Sequence, residues 1–160
     1  MGTILNSQEL NKLSELKRAG RKVVLVGGCF DILHTGHIEF LKSAKKIGNI
    51  LVVMLESDRK VSNLKGKNRP ANSQKDRAAV LSNLPFVDYV IRLIYLPKDN
   101  DYEMLVKLLK PDIIAVTVGG HVFEWEKTYM NSIGGKIVEV IPRIDEYSTT
   151  EILRSAKITK

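Results

Sequence analysis

The stretch from Val23 to Leu41, VVLVGGCFDILHTGHIEFL, decides how the rest of the chain is read. An apolar run, Val23 to Val26, stops at Gly27 and Gly28. Phe30 and Asp31 follow, then His34 and His37 with Gly36 between them. The segment IEFLKSAKKI after them places Ile38, Leu41, Ala44 and Ile47 on one helical face. This is a buried strand, a glycine turn and a helix. A helix that starts after a glycine turn offers free backbone N–H groups and the positive end of its dipole, which suit an anion such as phosphate. Two of the chain's three histidines stand at that junction. An imidazole N–H can donate to a phosphate oxygen without the fixed charge of a lysine. A pair of histidines that merely cap the helix is the plainer reading of the same residues.

Working outward, the same alternation repeats. ILVVMLES, VDYVIRLI, DIIAVTV and KIVEVIP read as further strands. Helices are expected in SQKDRAAVLSNL, DYEMLVKLL, near FEWEKTYMNSI and in STTEILRSA. Ser73 is the expected cap of the first, with Asp76 three residues on. DRKVSNLKGKNRPAN reads as a polar, basic loop. Near-continuous apolar strands alternating with helices predict a Rossmann-like, doubly wound five-stranded parallel sheet in one domain. Leu10, Leu13 and Leu16 suggest a short helix ending at Gly20, so residues 1–21 are assigned to an N-terminal helix and 22–160 to the domain. In such folds ligands bind at the carboxyl ends of the strands. Here those ends carry GGCFDILHTGH, ESD, GGH and PRIDEYSTT.

The 160 residues suffice for one domain with a real core. No apolar run approaches the ~20 residues of a membrane span. The N-terminus lacks the basic-then-apolar layout of a signal peptide, so a cytoplasmic protein is expected. A single Cys29 leaves no internal disulfide and no multi-cysteine zinc site. The net charge of +7 fits either nucleic acid or an anionic small substrate. Aromatic residues are few, which makes base stacking along a nucleic acid strand thin and nucleic acid an unfavoured partner. GxxxxGK[ST] and GxGxxG are both absent. A zinc site from His34, His37 and His121 lacks the helical i, i+4 spacing and an adjacent carboxylate, so no protein-held metal is expected.

GGCFDILHTGH resembles the signature of the nucleotidyltransferases with an HxGH motif, and EYSTTEI resembles their second signature. The HxGH motif is shared with class I aminoacyl-tRNA synthetases, but the two motifs at opposite ends of one small α/β domain are together specific. The resemblance runs from about Lys22 to Ser155. It is closest to the type that activates heptose 1-phosphate with ATP, through GCFDILHTGHIEFLKSAKKIG, SDRKVSNLKGKNRPAN, DRAAVLSNLPFVDYVI and KPDIIAV. Two departures stand out: after the fourth strand Val118 replaces that type's lysine and His121 its acid, and VGG stands where TNG is usual before Cys29.

The resemblance implies site residues. His34, His37 and Lys65 would be catalytic, with the histidines on the triphosphate. Gly28, Cys29, Phe30, Gly36, Lys67, Arg77, Gly119, Ser148, Thr149 and Thr150 would bind the nucleotide. Lys65 and Lys67 would act from a mobile loop. Asp31 and Arg143 would meet the acceptor substrate, with Lys22 as another phosphate partner. Asp31 can equally be read as a turn-former that bonds backbone N–H groups. The implied reaction joins a nucleoside monophosphate, from ATP, to a phosphorylated small molecule and releases pyrophosphate. Mg²⁺ is the expected cofactor, and a homodimer is left open. A glycerol 3-phosphate type cytidylyltransferase, an FMN adenylyltransferase and a non-catalytic nucleotide- or RNA-binding protein are the alternatives.

Overall fold

A computed structural model describes residues 1–6, 9–10 and 20–142. Their element order is β1 (Thr3–Asn6), β2 (Val23–Gly28), α1 (Thr35–Lys46), β3 (Ile50–Leu55), α2 (Asp58–Lys65), α3 (Gln74–Ser82), β4 (Tyr89–Arg92), α4 (Asp99–Leu109), β5 (Ile113–Thr117), α5 (Glu124–Ser132) and β6 (Lys136–Ile141). The strands form one sheet in the order β1-β4-β3-β2-β5-β6, and every pairing is parallel.

The apolar strands are explained by a core on each side of this sheet. Side chains alternate across a strand. Val23 and Leu25 of β2, with Ile50 and Val52 of β3, enter one cluster beside Val106, Leu109 and Met130 of α4 and α5. Their neighbours Val24, Val26, Leu51 and Val53 enter the other, beside Phe40, Leu41 and Ala44 of α1 and Ala78 and Leu81 of α3. A strand buried on both faces has no polar face to show, so it reads as a continuous run. Among the described residues, no helix is long and apolar enough to cross a membrane.

Two expectations are corrected. Among the described residues the sheet has six strands, not five, because Thr3–Asn6 forms an edge strand in register with β4, Ile4 opposite Val90 and Leu5 opposite Ile91. Residues 3–6 are therefore sheet and not part of an N-terminal helix. Burial of Leu5 against that neighbour fixes them. The expected basic loop is also partly helix, over Asp58–Lys65. Ser57 caps it, its Oγ accepting from the Lys60 N–H at 3.2 Å, and Val61 is its buried anchor. Lys65 thus ends a helix, and only Gly66 onward is loop. The helix expected through Leu13 and Leu16, the STTEILRSA helix, and Arg143, Ser148, Thr149 and Thr150 lie outside the described residues.

Candidate active site

A cleft of about 1000 Å³ crosses the carboxyl ends of β3, β2 and β5. The turn between β2 and α1 forms its centre. Phe30 takes a left-handed backbone conformation, φ 43°, which a non-glycine residue adopts only when its surroundings fix it. What fixes it is the burial of its ring, packed 5.1 Å from His37. Gly28 makes room for that ring: a Cβ there would come within 2.8 Å of it.

His34 is the N-cap residue of α1, yet its side chain makes no capping bond. The capping reading of this histidine therefore fails. Instead the rings of His34 and His37 stack, centroids 3.8 Å apart. The Nδ1 atom of His34 is buried without a hydrogen-bond partner. Burial lowers the pKa of His34. It pushes His37 down to about 4, with repulsion from Lys65 and from His34 when that ring is protonated also opposing a charge on it, while a hydrogen bond to the Ile32 backbone works the other way. Both rings are neutral near pH 7. They can donate N–H groups to an incoming anion without an ion pair that must first be broken. Lys65 lines the same cleft and is exposed there.

Asp31 is buried and fully engaged. It accepts from the Arg69 Nε–H and from the backbone N–H groups of Ala71 at 2.7 Å and Asn72 at 3.3 Å. These are the bonds of a loop-organising aspartate, and they hold Arg69 at the cleft wall. Arg77 is 1% exposed and belongs to the scaffold beneath the cleft. It donates to the carbonyls of Cys29, Glu56 (2.9 Å) and Asn72 (3.1 Å) and pairs with Asp58 at 2.7 Å. One side chain thus ties the ends of β2 and β3 to the starts of α2 and α3.

Cys29 and Gly36 line the cleft, and burial pushes the Cys29 thiol up. Lys67 is exposed in the loop after α2 and is not among the cleft-lining residues. Gly119 is beside the cleft and donates its N–H to Glu139 at 3.0 Å, while Gly120 and His121 line it. Lys22 precedes β2 and stands at its amino end, beside Asn49, so it is at the wrong end of the strand to meet a ligand.

Arg69, Glu56 and the pair Phe123–Trp125 also line the cleft and were not singled out in the sequence, although ESD and GGH were placed there. Arg69 hides within a basic loop. Glu56 lines the β3 side and accepts from the Tyr102 hydroxyl at 2.9 and 3.1 Å; burial raises the pKa of both. The third group lines the β5 side, where His121 meets Phe123 edge-on at 4.4 Å and Phe123 stacks on Trp125 at 5.8 Å. GGH at the end of the fourth predicted strand, with His121, marked this side in the sequence, but Phe123 and Trp125 were not singled out.

The family model described as cytidylyltransferase-like matches residues 25–155. The chain belongs to the cytidylyltransferase-like family. It is a nucleotidyltransferase-family enzyme domain with a Rossmann-like fold. The chain is 46% identical over 149 residues to the bifunctional protein HldE of Campylobacter fetus, covering 92% of this chain and 31% of that one. It is 44% identical over 142 residues to HldE of Campylobacter curvus, covering 88% and 28%. The chain therefore spans about a third of these curated relatives. The crystal structure of a lipopolysaccharide core biosynthesis protein from Thermoplasma volcanium is 35% identical, with a TM-score of 0.60, covering 81% of this chain and all of that one. A pantoate-beta-alanine ligase from Francisella tularensis, 14% identical with a TM-score of 0.55, shares the fold; the match covers 98% of this chain and 78% of the ligase.

Proposed function

We propose that this chain transfers AMP from ATP to a sugar 1-phosphate of the heptose type and releases pyrophosphate. The observation that carries the reading is the stacked, neutral His34–His37 pair at a helix start, in the centre of a cleft wide enough for two substrates. The acceptor is a phosphate ester, already an anion at neutral pH, so its attack on the α-phosphorus needs no base. The protein's task is positioning and charge stabilisation. His34 and His37 would donate to oxygens of the α-phosphate as negative charge builds there. Lys65, at the end of α2, would neutralise the departing phosphates. The Ser148–Thr150 turn, by resemblance, would hold the β- and γ-phosphates.

Mg²⁺ would arrive on the nucleotide. No cluster of three His, Cys, Asp or Glu side chains among the described residues forms a cage for it. A magnesium ion carried by phosphates and water needs none, so the cleft's chemistry fits it. When bound it would neutralise charge on the leaving pyrophosphate. The sugar 1-phosphate reading is supported by the resemblance and by the likeness to HldE and to a lipopolysaccharide core biosynthesis protein.

The test is pyrophosphate release with ATP and with CTP, across a panel of heptose and hexose 1-phosphates, glycerol 3-phosphate and FMN. ATP with a sugar 1-phosphate should give the highest kcat/KM. Turnover only with FMN, or only with CTP and glycerol 3-phosphate, would replace the proposed acceptor.

A further inference from the structure

The proposed reaction brings two anions into one cleft, and each needs a positive partner. Among the described residues the cations lining that cleft are Lys60, Lys65 and Arg69. Lys60 is already engaged: its ammonium donates to the Leu96 carbonyl at 3.2 Å and lies 5.1 Å from the centre of the Tyr102 ring. Lys65 serves the departing phosphates in the reading above. Lys22 stands at the amino end of β2, away from the cleft. Asp31 is a carboxylate whose oxygens are already taken. Arg69 is left for the acceptor's phosphate.

Arg69 is held in place but not used up. It gives its Nε–H to Asp31, whose side chain is only 2% exposed. The other oxygen of Asp31 takes the N–H groups of Ala71 and Asn72. The Asn72 carbonyl in turn accepts from Arg77, which also holds the carbonyls of Cys29 and Glu56. These bonds seat Arg69 near the ends of β2 and β3, across the histidine turn from the aromatic β5 wall. The N–H groups on its two terminal nitrogens have no partner among the described residues. Neither nitrogen is among the sealed, unpartnered polar atoms, so both reach the open cleft. A planar fork of donors meets two oxygens of one phosphate at once, which the point charge of a lysine does not. Fixing the guanidinium in advance also lowers the ordering cost of forming those bonds.

We propose that Arg69 clamps the phosphate of the acceptor, its terminal N–H groups donating to two phosphate oxygens, and that Asp31 is the positioning residue that aims it. The inference rests on the transfer reading above and adds the residue that selects a phosphate monoester as acceptor. Asp31 then meets the acceptor through Arg69 and not directly. A bare carboxylate would repel a phosphate; with a guanidinium between them, the same charge anchors the clamp.

The experiment is calorimetry of a heptose 1-phosphate, glycerol 3-phosphate and FMN. Each is added to protein saturated with an ATP analogue that has a methylene bridge between its α- and β-phosphorus. The analogue cannot release pyrophosphate, so binding is read without transfer. Its own affinity is measured first, on the wild type, Arg69→Ala, Arg69→Lys, Asp31→Asn and the double variant Asp31→Asn/Arg69→Ala. Arg69→Ala should weaken the best-bound ester roughly tenfold to a hundredfold, as for lost bonds to a charged group, and the analogue by less than about threefold. Added guanidinium ion should restore part of the ester binding, which a folding defect would not allow. Arg69→Lys keeps the charge and the stem but loses the fork, so ester binding should fall roughly threefold to tenfold. In Asp31→Asn the amide oxygen can still take the Ala71 and Asn72 N–H groups, but its N–H groups oppose the Arg69 Nε–H. The clamp is loosened, and ester binding should fall roughly fivefold. The double variant should lose no more than Arg69→Ala alone, because Asp31 acts through Arg69; additive losses would overturn its positioning role. Wild-type ester affinity in Arg69→Lys or Arg69→Ala, equal losses for ester and analogue, or no ester bound by the wild type overturns the clamp. Pyrophosphate release by the wild type with ATP, measured alongside, shows whether the transfer reading survives that outcome. Ester binding that depends on Arg69, in a wild type that releases no pyrophosphate with any ester, overturns the transfer reading and leaves the clamp standing.

Discussion

His37 joins the site's chemistry to its stability. Its pKa is about 4 in the folded chain, against 6.5 for a free imidazole. Between those values the unfolded chain binds a proton that the folded chain refuses. Stability therefore falls as pH drops from 6.5 toward 4, and this contribution levels off below. Carboxylates titrate in the same window, so the comparison must be with a variant. Thermal melts of the wild type and His37→Gln from pH 7.5 to 4.5 isolate the term: the wild type should lose more stability than the variant. Parallel losses would mean that the ring is not held neutral by burial. At this scale the sequence was partly legible. His34 and His37 stood out by their place after a glycine turn. For Asp31 the reading as a backbone-binding aspartate was open, but its partners were not legible, because Arg69 and Ala71 lie about 40 residues along the chain and are brought to it only by the fold. Trp125 was hidden for the same reason, as an indole looks alike in a core and in a cleft until its N–H can be checked for a partner.

At the scale of elements, Arg77 is the joint of the site. Its guanidinium holds the carbonyls that end β2 and β3, and from those ends come Cys29 and Glu56. Arg77→Ala leaves three carbonyls short of a donor in a buried place. At about 1–3 kcal/mol for each unsatisfied group, it should cost roughly 3 kcal/mol or more. Urea unfolding checks this, and a loss under about 1 kcal/mol would show that Arg77 serves the ligand and not the frame. Elements were legible where both faces of a strand are buried, since β2 and β3 then read as apolar runs. They were less legible where anchoring is sparse. α2 has one buried residue, Val61, and so shows no apolar stripe; its start was marked only by Ser57 ahead of Asp58. β1 has four residues and owes its form to β4, far along the chain. No local pattern can announce such a strand.

For the whole molecule, alternation of strand and helix predicted the parallel sheet, and the parallel sheet predicted a cleft at its carboxyl ends. The order of strands was not written in any local signal, yet it decides which walls face each other. With β3 and β5 on opposite sides of β2, the polar Glu56–Tyr102 wall and the aromatic Phe123–Trp125 wall flank the histidine turn. In the proposed reaction that division would give an acceptor and a nucleotide separate places around one reacting phosphorus. The central claim is that His34 and His37 stabilise charge on the α-phosphate during transfer. The measurement is movement of label from ATP carrying a labelled α-phosphate onto a heptose 1-phosphate, by the wild type and by His37→Ala, with ATP affinity measured on both. The account predicts labelled nucleotide-sugar from the wild type. In His37→Ala it predicts a kcat lower by roughly two orders of magnitude or more, as for a lost oxyanion donor, with ATP affinity changed far less. An undiminished kcat in a folded variant, or label that stays with the nucleotide in the wild type, would contradict it.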